Sequence, residues 1–194
     1  MAITEEQIKK NWDNFRLLCT KLGDRAEAIT KMLDFFEERA ALCPASSRTA
    51  FHAAFPGGLV DHSLRVLSLA NKISKAYEVE VPRESLIFSA LFHDWGKIGS
   101  VEAEYYLPQD SDWHKEKLGE MYKINKDMQY MPNNHRSLWL MQHFGIKLSE
   151  DEFLAILLND GPIDEGNKKY SMQEPLLAVI IHQADRMACQ IEKE

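Results

Sequence analysis

The sequence has no apolar run that approaches the ~20 residues a helix needs to cross a membrane. Its first ten residues, MAITEEQIKK, contain two adjacent glutamates and no apolar stretch, so they resemble neither a secretory signal nor an arginine-rich transit peptide. We therefore expect a soluble protein that resides in the cytoplasm and has no membrane partner.

Cysteine is scarce and odd in number, since the chain has only Cys19, Cys43 and Cys189. Three widely separated cysteines do not fit a disulfide framework or a zinc ribbon, which need paired or clustered cysteines. We expect buried free thiols in a reducing compartment and assign them no function.

Positive charge is in the minority, with 23 Lys and Arg against 30 Asp and Glu and a net charge of −7. A long nucleic acid would meet repulsion over most of this surface unless basic residues gathered in one groove. The pattern leaves such a groove open, but small phosphorylated molecules are the favoured partners. Nothing in the sequence indicates the oligomeric state.

Neither an internal repeat nor a convincing β-hairpin signal is visible, and helical periodicity dominates the chain. The composition is that of an ordinary globular protein, with 45% hydrophobic and 27% charged residues. A chain of 194 residues can bury one sizeable core, and no break in the pattern divides it. We predict an all-α fold in one domain.

Residues 1–50 are predicted to be a helical scaffold that packs on the same core as residues 51–194. Thr4 and Gln7 form a capping-box pattern, which begins a helix that ends near Leu22. A second amphipathic stretch continues to about residue 42.

The second part begins with a predicted loop, residues 51–58, because Pro-Gly-Gly cannot propagate a regular structure. The helices predicted after it span about residues 59–78, 84–94, 134–145, 149–158 and 174–191. Residues 100–132 are expected to form an irregular insertion around one short helix, Trp113 to about Lys123. We interpret this insertion as a lid or substrate-facing segment.

Three predicted helices each bring metal-competent side chains onto an apolar face: His62, the pair His93-Asp94, and Asp185. A carboxylate buried without a partner costs several kcal/mol, so both aspartates need a cation or strong donors. Two imidazoles and two carboxylates suit one divalent ion, which could be Mn²⁺, Fe²⁺, Co²⁺, Ni²⁺, Zn²⁺ or Mg²⁺. We predict that these four residues hold one such ion.

The four residues stand in the segments GGLVDHSLRV, LFHDWGKIG and IHQADRMA. This order of a first His, a His-Asp pair and a distal Asp resembles the HD-domain superfamily of metal-dependent phosphohydrolases. The resemblance implies an all-α HD-type bundle and a phosphate-holding role for Lys97. The segment PGGLVDHS is similar to the branch that includes 3′–5′ exoribonucleases and relaxase-associated HD domains.

The sequence departs from members of that superfamily that hold a second metal through two further histidines. Asn133 stands in the first of those positions, with His135 two residues later, and Asn159 lies in the segment of the second. Because Asn is a poor ligand for a borderline metal, we expect one ion, with Asn159 and His135 facing substrate or water. A binuclear centre is the lesser option.

Other polar residues are candidates for substrate binding or proton transfer. Arg65 and Arg136 could each bind a phosphate with a bidentate guanidinium. His182 lies about one turn before Asp185 and could act as a proton donor or support a ligand. In contrast, we expect His52 to be structural or exposed and Glu192 to lie on a solvated face.

The leading hypothesis is a phosphohydrolase in which metal-activated water cleaves a phosphate ester of a nucleotide or related small phosphorylated substrate. Asp94, Lys97 and His182 are its predicted catalytic residues. One alternative is a non-catalytic metal- or nucleotide-binding regulatory domain, and another is a 3′–5′ exoribonuclease-like nuclease. A third, weaker one is an oxygenase with two irons.

Overall fold

The computed structural model describes residues 3–161 and 164–192. Helices dominate these residues, so the predicted all-α class is confirmed. The helices in chain order are α1 (Glu5–Cys19), α2 (Ala26–Phe35), α3 (Glu37–Leu42), α4 (Gly58–Ala76), α5 (Arg83–Phe92), α6 (Asp112–Leu118), α7 (Asn133–His143), α8 (Glu150–Leu157) and α9 (Leu176–Ile191). Short 3₁₀ helices span Gly23–Arg25, Trp95–Ile98 and Glu165–Tyr170, and two strands, β1 (Tyr106–Pro108) and β2 (Tyr122–Ile124), flank α6. In this part of the chain, no helix has the length and apolar character to span a bilayer.

Helix α1 begins at the predicted cap, but the capping box is only half formed. The Thr4 hydroxyl accepts a hydrogen bond from the backbone N–H of Gln7 at 3.2 Å. The Gln7 side chain does not reach back to the cap, because its amide donates to Asn11 Oδ1 at 2.7 Å. The Thr4 side chain therefore satisfies one free N–H at the start of the helix, and the Gln7 side chain bonds to Asn11 instead of the cap.

The predicted second helix is divided at Phe36, where φ is −103° and ψ is 8°. The Phe36 ring is 2% exposed and lies 5.7 Å from the Phe144 ring at the end of α7. Helical periodicity alone does not reveal such a break, because the residues on both sides keep an amphipathic pattern. The other predicted helix bounds outside the insertion lie within about three residues of those observed.

Packing between the central helices positions the residues predicted to bind metal. Helix α4 packs most extensively against α9 and α5, and α7 packs against the 3₁₀ helix Trp95–Ile98. Helix α8 closes the far side by contacting α5 and α9. His62 of α4, His93 at the end of α5 and Asp185 of α9 therefore meet inside the bundle.

The N-terminal helices share an aromatic core with the rest of the chain. The ring of Phe15, fully buried on α1, stacks on Trp95 with centroids 5.6 Å apart and meets Phe92 edge-on at the same distance. Trp12 also stacks on Phe15, with ring centroids 5.8 Å apart. We propose from these contacts that residues 1–50 are a scaffold that folds as one unit with residues 51–194.

The insertion at residues 100–132 is more regular than predicted. Strands β1 and β2 pair antiparallel, with Tyr106 opposite Ile124 and Pro108 opposite Tyr122. The predicted helix to Lys123 was wrong, because Gly119 adopts φ 60° and ends α6 at Leu118. Three-residue strands carry too little alternation for a hairpin signal, which explains why the pairing escaped the sequence pattern.

Replacing Phe15 with Ala is expected to destabilise the whole chain by about 3–5 kcal/mol, because it removes a fully buried ring from the shared core. Urea unfolding followed by tryptophan fluorescence and by helical circular dichroism measures this loss. The matched control is Leu17→Ala on the same helix, whose side chain is 57% exposed and which should change stability by less than about 0.5 kcal/mol. Two separate unfolding transitions in the wild type would contradict the proposed single unit.

Candidate metal centre

The predicted metal ligands converge in the interior of the bundle. His62 Nε2 lies 3.0 Å from Asp185 Oδ1, and His93 Nε2 lies 3.8 Å from the same oxygen. Asp94 Oδ2 lies 3.7 Å from His62 Nε2 and 3.5 Å from His93 Nε2. Both histidines are fully buried, so their ring nitrogens are shielded from bulk water.

Hydrogen bonds to the other ring nitrogens orient both histidines. His93 Nδ1 lies 2.9 Å from the backbone oxygen of Ala90, and His62 Nδ1 lies 3.0 Å from Glu192 Oε2. A carbonyl and a carboxylate can only accept, so each Nδ1 carries the proton and donates it. Each Nε2 therefore points into the cluster, as in histidines that bind metals.

The donor set fits a divalent ion. The Nε2 atoms of His62 and His93 are buried and have no hydrogen-bond partner, although carboxylates lie close to them. Candidate ligand atoms of His62, His93 and Asp185 all lie within 4.8 Å of one another. Ligands about 2.0–2.2 Å from an ion are roughly 3–4 Å apart, which matches the observed spacing.

Asp94 adjoins this group of three and is held by Lys97. Lys97 Nζ donates to Asp94 Oδ2 at 2.5 Å, within the turn that leads into the 3₁₀ helix. Burial raises the pKa of the Asp94 carboxyl, but the charges of Lys97 and His93 outweigh burial and hold that pKa far below its usual range. Asp94 is therefore an anion at the edge of the cluster.

The cluster binds protons tightly in the absence of metal. Burial lowers the pKa of both histidines, but the neighbouring carboxylates outweigh burial. Asp185 and Glu192 raise the pKa of His62, and Asp94 and Asp185 raise that of His93 to about 10. At neutral pH a metal ion must therefore displace a proton from His93.

A cavity of about 440 Å³ opens over the cluster. Its lining is mostly polar residues and includes two of the four predicted ligands. The lining residues are His52, Asp94, Lys97, Pro132, Asn133, Asn134, Asn159, Asp160, Asp164, His182, Asp185, Arg186 and Cys189. A larger cavity of about 750 Å³ touches Lys97 but is lined by none of the four predicted ligands. We therefore centre the chemistry on the smaller cavity.

His182 and Asn159 both line the cavity, and their roles toward substrate or water stay predictions. His182 Nδ1 lies 2.8 Å from the backbone oxygen of Asn159, so Nδ1 is the protonated nitrogen. Gly161 permits this contact, because a Cβ there would lie 2.3 Å from the His182 ring. The Asn159 side chain is 3% exposed, and its Oδ1 has no hydrogen-bond partner.

The structure does not bring three predicted substrate residues to this cavity. Arg65 pairs with Asp61, at 3.0 Å, and with Glu192. Arg136 is 4% exposed, and its guanidinium donates to the backbone oxygens of Gly96 and Met131. His135 lines a separate apolar groove on α7. Substrate binding by Arg65, Arg136 and His135 stays a prediction, and their contacts indicate structural roles.

Three residues of the site were missed in the sequence. His52 lines the cavity, and its ring lies 4.7 Å from that of His62. Burial and the charge of Lys97 lower the pKa of His52 to about 3, so its ring is neutral. Cys189 Sγ lies 3.4 Å from Asp185 Oδ1, and the carboxylate of Glu192 is buried rather than solvated.

A signal for two of these residues was present. Along α9 and the turn after it, polar residues at positions 182, 185, 189 and 192 are spaced three, four and three apart. This spacing puts them on one face of a helix, beside the apolar face. The stripe predicts that Cys189 and Glu192 share the side of Asp185. No comparable pattern precedes His52, which lies in a loop.

Together, the helical bundle and its buried cluster of His and Asp side chains have the arrangement of an HD domain. A sequence model of the family described as "HD domain" matches residues 59–189, about two thirds of the chain. The chain belongs to this family, which includes metal-dependent phosphohydrolases and whose members bind divalent metals. No curated protein and no solved structure matches significantly.

Metal affinity is expected to rise with pH between about pH 6 and 8. Because the pKa of His93, raised to about 10, keeps that ring protonated there, displacement of its proton should strengthen binding by about tenfold per pH unit. Calorimetric titration with Mn²⁺ in buffers of different ionisation enthalpy measures both the affinity and the proton release. A dissociation constant independent of pH, without proton release, would contradict this description of the cluster.

Proposed function

We propose that the protein is a metal-dependent phosphohydrolase that cleaves a phosphate ester of a nucleotide or a related small phosphorylated substrate. One divalent ion is its cofactor, held by His62, His93, Asp94 and Asp185. The observation that carries this proposal is the buried cluster of unpaired imidazole nitrogens and carboxylates at the base of a polar cavity. Membership of a family that includes such hydrolases supports the same reaction class.

The ion would supply Lewis-acid activation of a phosphoryl oxygen and of water. Asp94 and Lys97 would act together with the ion, because they are joined by a hydrogen bond. The Lys97 ammonium has three N–H donors and uses one on Asp94, so two remain for an oxygen of the phosphoryl group. The buried ammonium would stabilise negative charge that develops on that group, while Asp94 stays fixed by the same contact.

His182 is the proposed proton donor to the leaving oxygen. Its Nδ1–H is committed to the Asn159 carbonyl, which leaves Nε2 as the nitrogen that exchanges protons with substrate. Donation requires the imidazolium form, since a neutral ring with its proton on Nδ1 can only accept at Nε2.

The charges of the cavity favour a substrate with one phosphoryl group. Among the described lining residues, the cations are Lys97 and Arg186, and the lining also contains Asp160 and Asp164. Binding of a triphosphate normally uses several Lys or Arg side chains. Carboxylates and side-chain amides instead accept hydrogen bonds from sugar hydroxyls, so the wall suits a nucleoside or sugar.

Two of the alternatives draw on features of the chain. A binding domain without turnover is favoured by Asn133 and Asn159, which line the cavity where some relatives place further metal-binding histidines. An exoribonuclease-like activity rests on the PGGLVDHS segment, and the net charge of −7 opposes it. A small substrate and a cytoplasmic location stay predictions. An oxygenase would need two irons per chain, which a metal count tests.

Replacing Asp94 with Asn should reduce phosphate release to the rate seen with excess EDTA, because the variant loses the anion that joins the ion to Lys97. Lys97→Ala should lower kcat by about 10²–10³, the usual cost of removing one donor to a developing charge. The assay measures inorganic phosphate from nucleotides, sugar phosphates and short RNA with Mn²⁺, Co²⁺, Ni²⁺ or Mg²⁺.

The matched control is Asp112→Asn, whose carboxylate is 87% exposed on α6 and should leave the rate unchanged. Tight ion binding without turnover of any substrate would refute the hydrolase and favour the binding domain. RNA as the only substrate cleaved would favour the nuclease.

Within one nucleotide series, a monophosphate should be hydrolysed at least about tenfold faster than the triphosphate, since added like charge near Asp160 and Asp164 is unfavourable. Measuring kcat/KM for AMP, ADP and ATP at saturating metal tests this order. Faster cleavage of ATP would show that the wall does not select by charge, and the proposed reaction class would still stand.

A further inference from the structure

Glu192 lies directly after α9, and its carboxylate is buried against a predicted metal ligand. Its side chain is 4% exposed, and Oε2 accepts the hydrogen bond from His62 Nδ1 at 3.0 Å. A buried carboxylate is costly unless it is paired, so this contact does not arise from chance placement of a solvated residue. Glu192 does not line the cavity, and any effect on the ion would pass through His62.

Arg65 forms an ion pair with this carboxylate, although Oε1 accepts no hydrogen bond. Its Nε lies 3.2 Å from Glu192 Oε1, so the second oxygen of the carboxylate faces a guanidinium while the first faces His62. The guanidinium also donates to Asp61 Oδ2 at 3.0 Å. Arg65 therefore pairs with Glu192 through charge, and a hydrogen bond to Asp61 holds Arg65 in place.

The network continues into the N-terminal scaffold. Asp61 Oδ1 accepts a hydrogen bond from Asn11 Nδ2 at 2.9 Å, and Asn11 Oδ1 accepts one from the Gln7 amide at 2.7 Å. Asn11 and Glu192 both lie outside residues 59–189, the part of the chain that matches the family. The network that supports His62 therefore extends beyond the matched part of the chain on both sides.

We propose that Glu192 is a positioning residue of the metal centre, which holds the Nδ1 proton of His62 so that Nε2 faces the ion, and that Arg65 orients Glu192 for this role. A carboxylate behind a metal-bound imidazole fixes the tautomer and ring orientation and raises the basicity of the ligand. The inference rests on the proposed metal centre and is independent of the reaction that the centre performs.

Replacing Glu192 with Ala should weaken Co²⁺ binding about ten- to a hundredfold, the usual loss when such a carboxylate is removed. Glu192→Gln should lose less, because its amide oxygen can still accept the Nδ1 proton without the negative charge. The matched control is Gln190→Ala, an exposed position in the last turn of α9, which should bind Co²⁺ like the wild type.

Calorimetry gives the dissociation constant, and the visible absorption of bound Co²⁺ reports its coordination geometry. Both are measured at a temperature where thermal melting shows each variant to be folded, so a weaker site does not reflect unfolding. The Gln variant keeps the size and shape of Glu192 and serves if the Ala variant fails to fold.

A double-mutant cycle separates positioning from a structural ion pair. Arg65→Ala should weaken Co²⁺ binding in the wild type but add little to Glu192→Ala, because Arg65 acts through the carboxylate. Binding by Glu192→Ala within twofold of the wild type, or full additivity of the two changes, would overturn the proposal. A wild type that binds no divalent ion would overturn the metal centre itself, whereas tight binding without phosphatase activity would refute only the hydrolase.

Discussion

The anionic carboxylates of Asp94 and Asp185, largely shielded from water inside a helical bundle, are the constraint on which the rest of the structure depends. Each would cost several kcal/mol if left unpaired in this environment. The Lys97 ammonium and the two imidazole rings lie beside these carboxylates and offset that cost, as would a bound cation. The crossing of α4, α5 and α9 can thus be understood as the arrangement that gathers these charges, while aromatic packing around Phe15 and Trp95 provides the stability that tolerates them.

The helices and the convergence of the predicted ligands could be predicted from the sequence, because both follow from helical periodicity. Residues 62, 93, 94 and 185 stand on apolar faces, and such faces must meet in the core of an all-α chain. The sequence could not show which polar neighbours would join them. His52 lies in an irregular loop, which has no periodicity to predict its position. The Arg136 guanidinium donates to backbone oxygens, and no local sequence pattern indicates these contacts. The strands of the hairpin β1–β2 are too short to show the alternating pattern that predicts a strand.

Side-chain amides form part of the wall of the 440 Å³ cavity. Asn133 and Asn159, which the sequence resemblance aligns with further metal-binding histidines, both line it, and Asn159 keeps an unpaired buried oxygen. An amide oxygen offers a neutral acceptor, so this wall can contact hydroxyl groups without adding charge. Asp185, a member of the cluster with His62 and His93, lines the same cavity, so the proposed ion and these amide acceptors would share it.

The hydrogen bond between His62 and Glu192 joins residues that are 130 positions apart. Because the chain between them is so long, the two residues meet only where α4 and α9 pack together in the bundle. In contrast to a zinc finger, whose closely spaced ligands allow the ion to direct folding, the metal here would load onto a bundle that has already assembled. Occupancy of the centre would then report on the completeness of the fold.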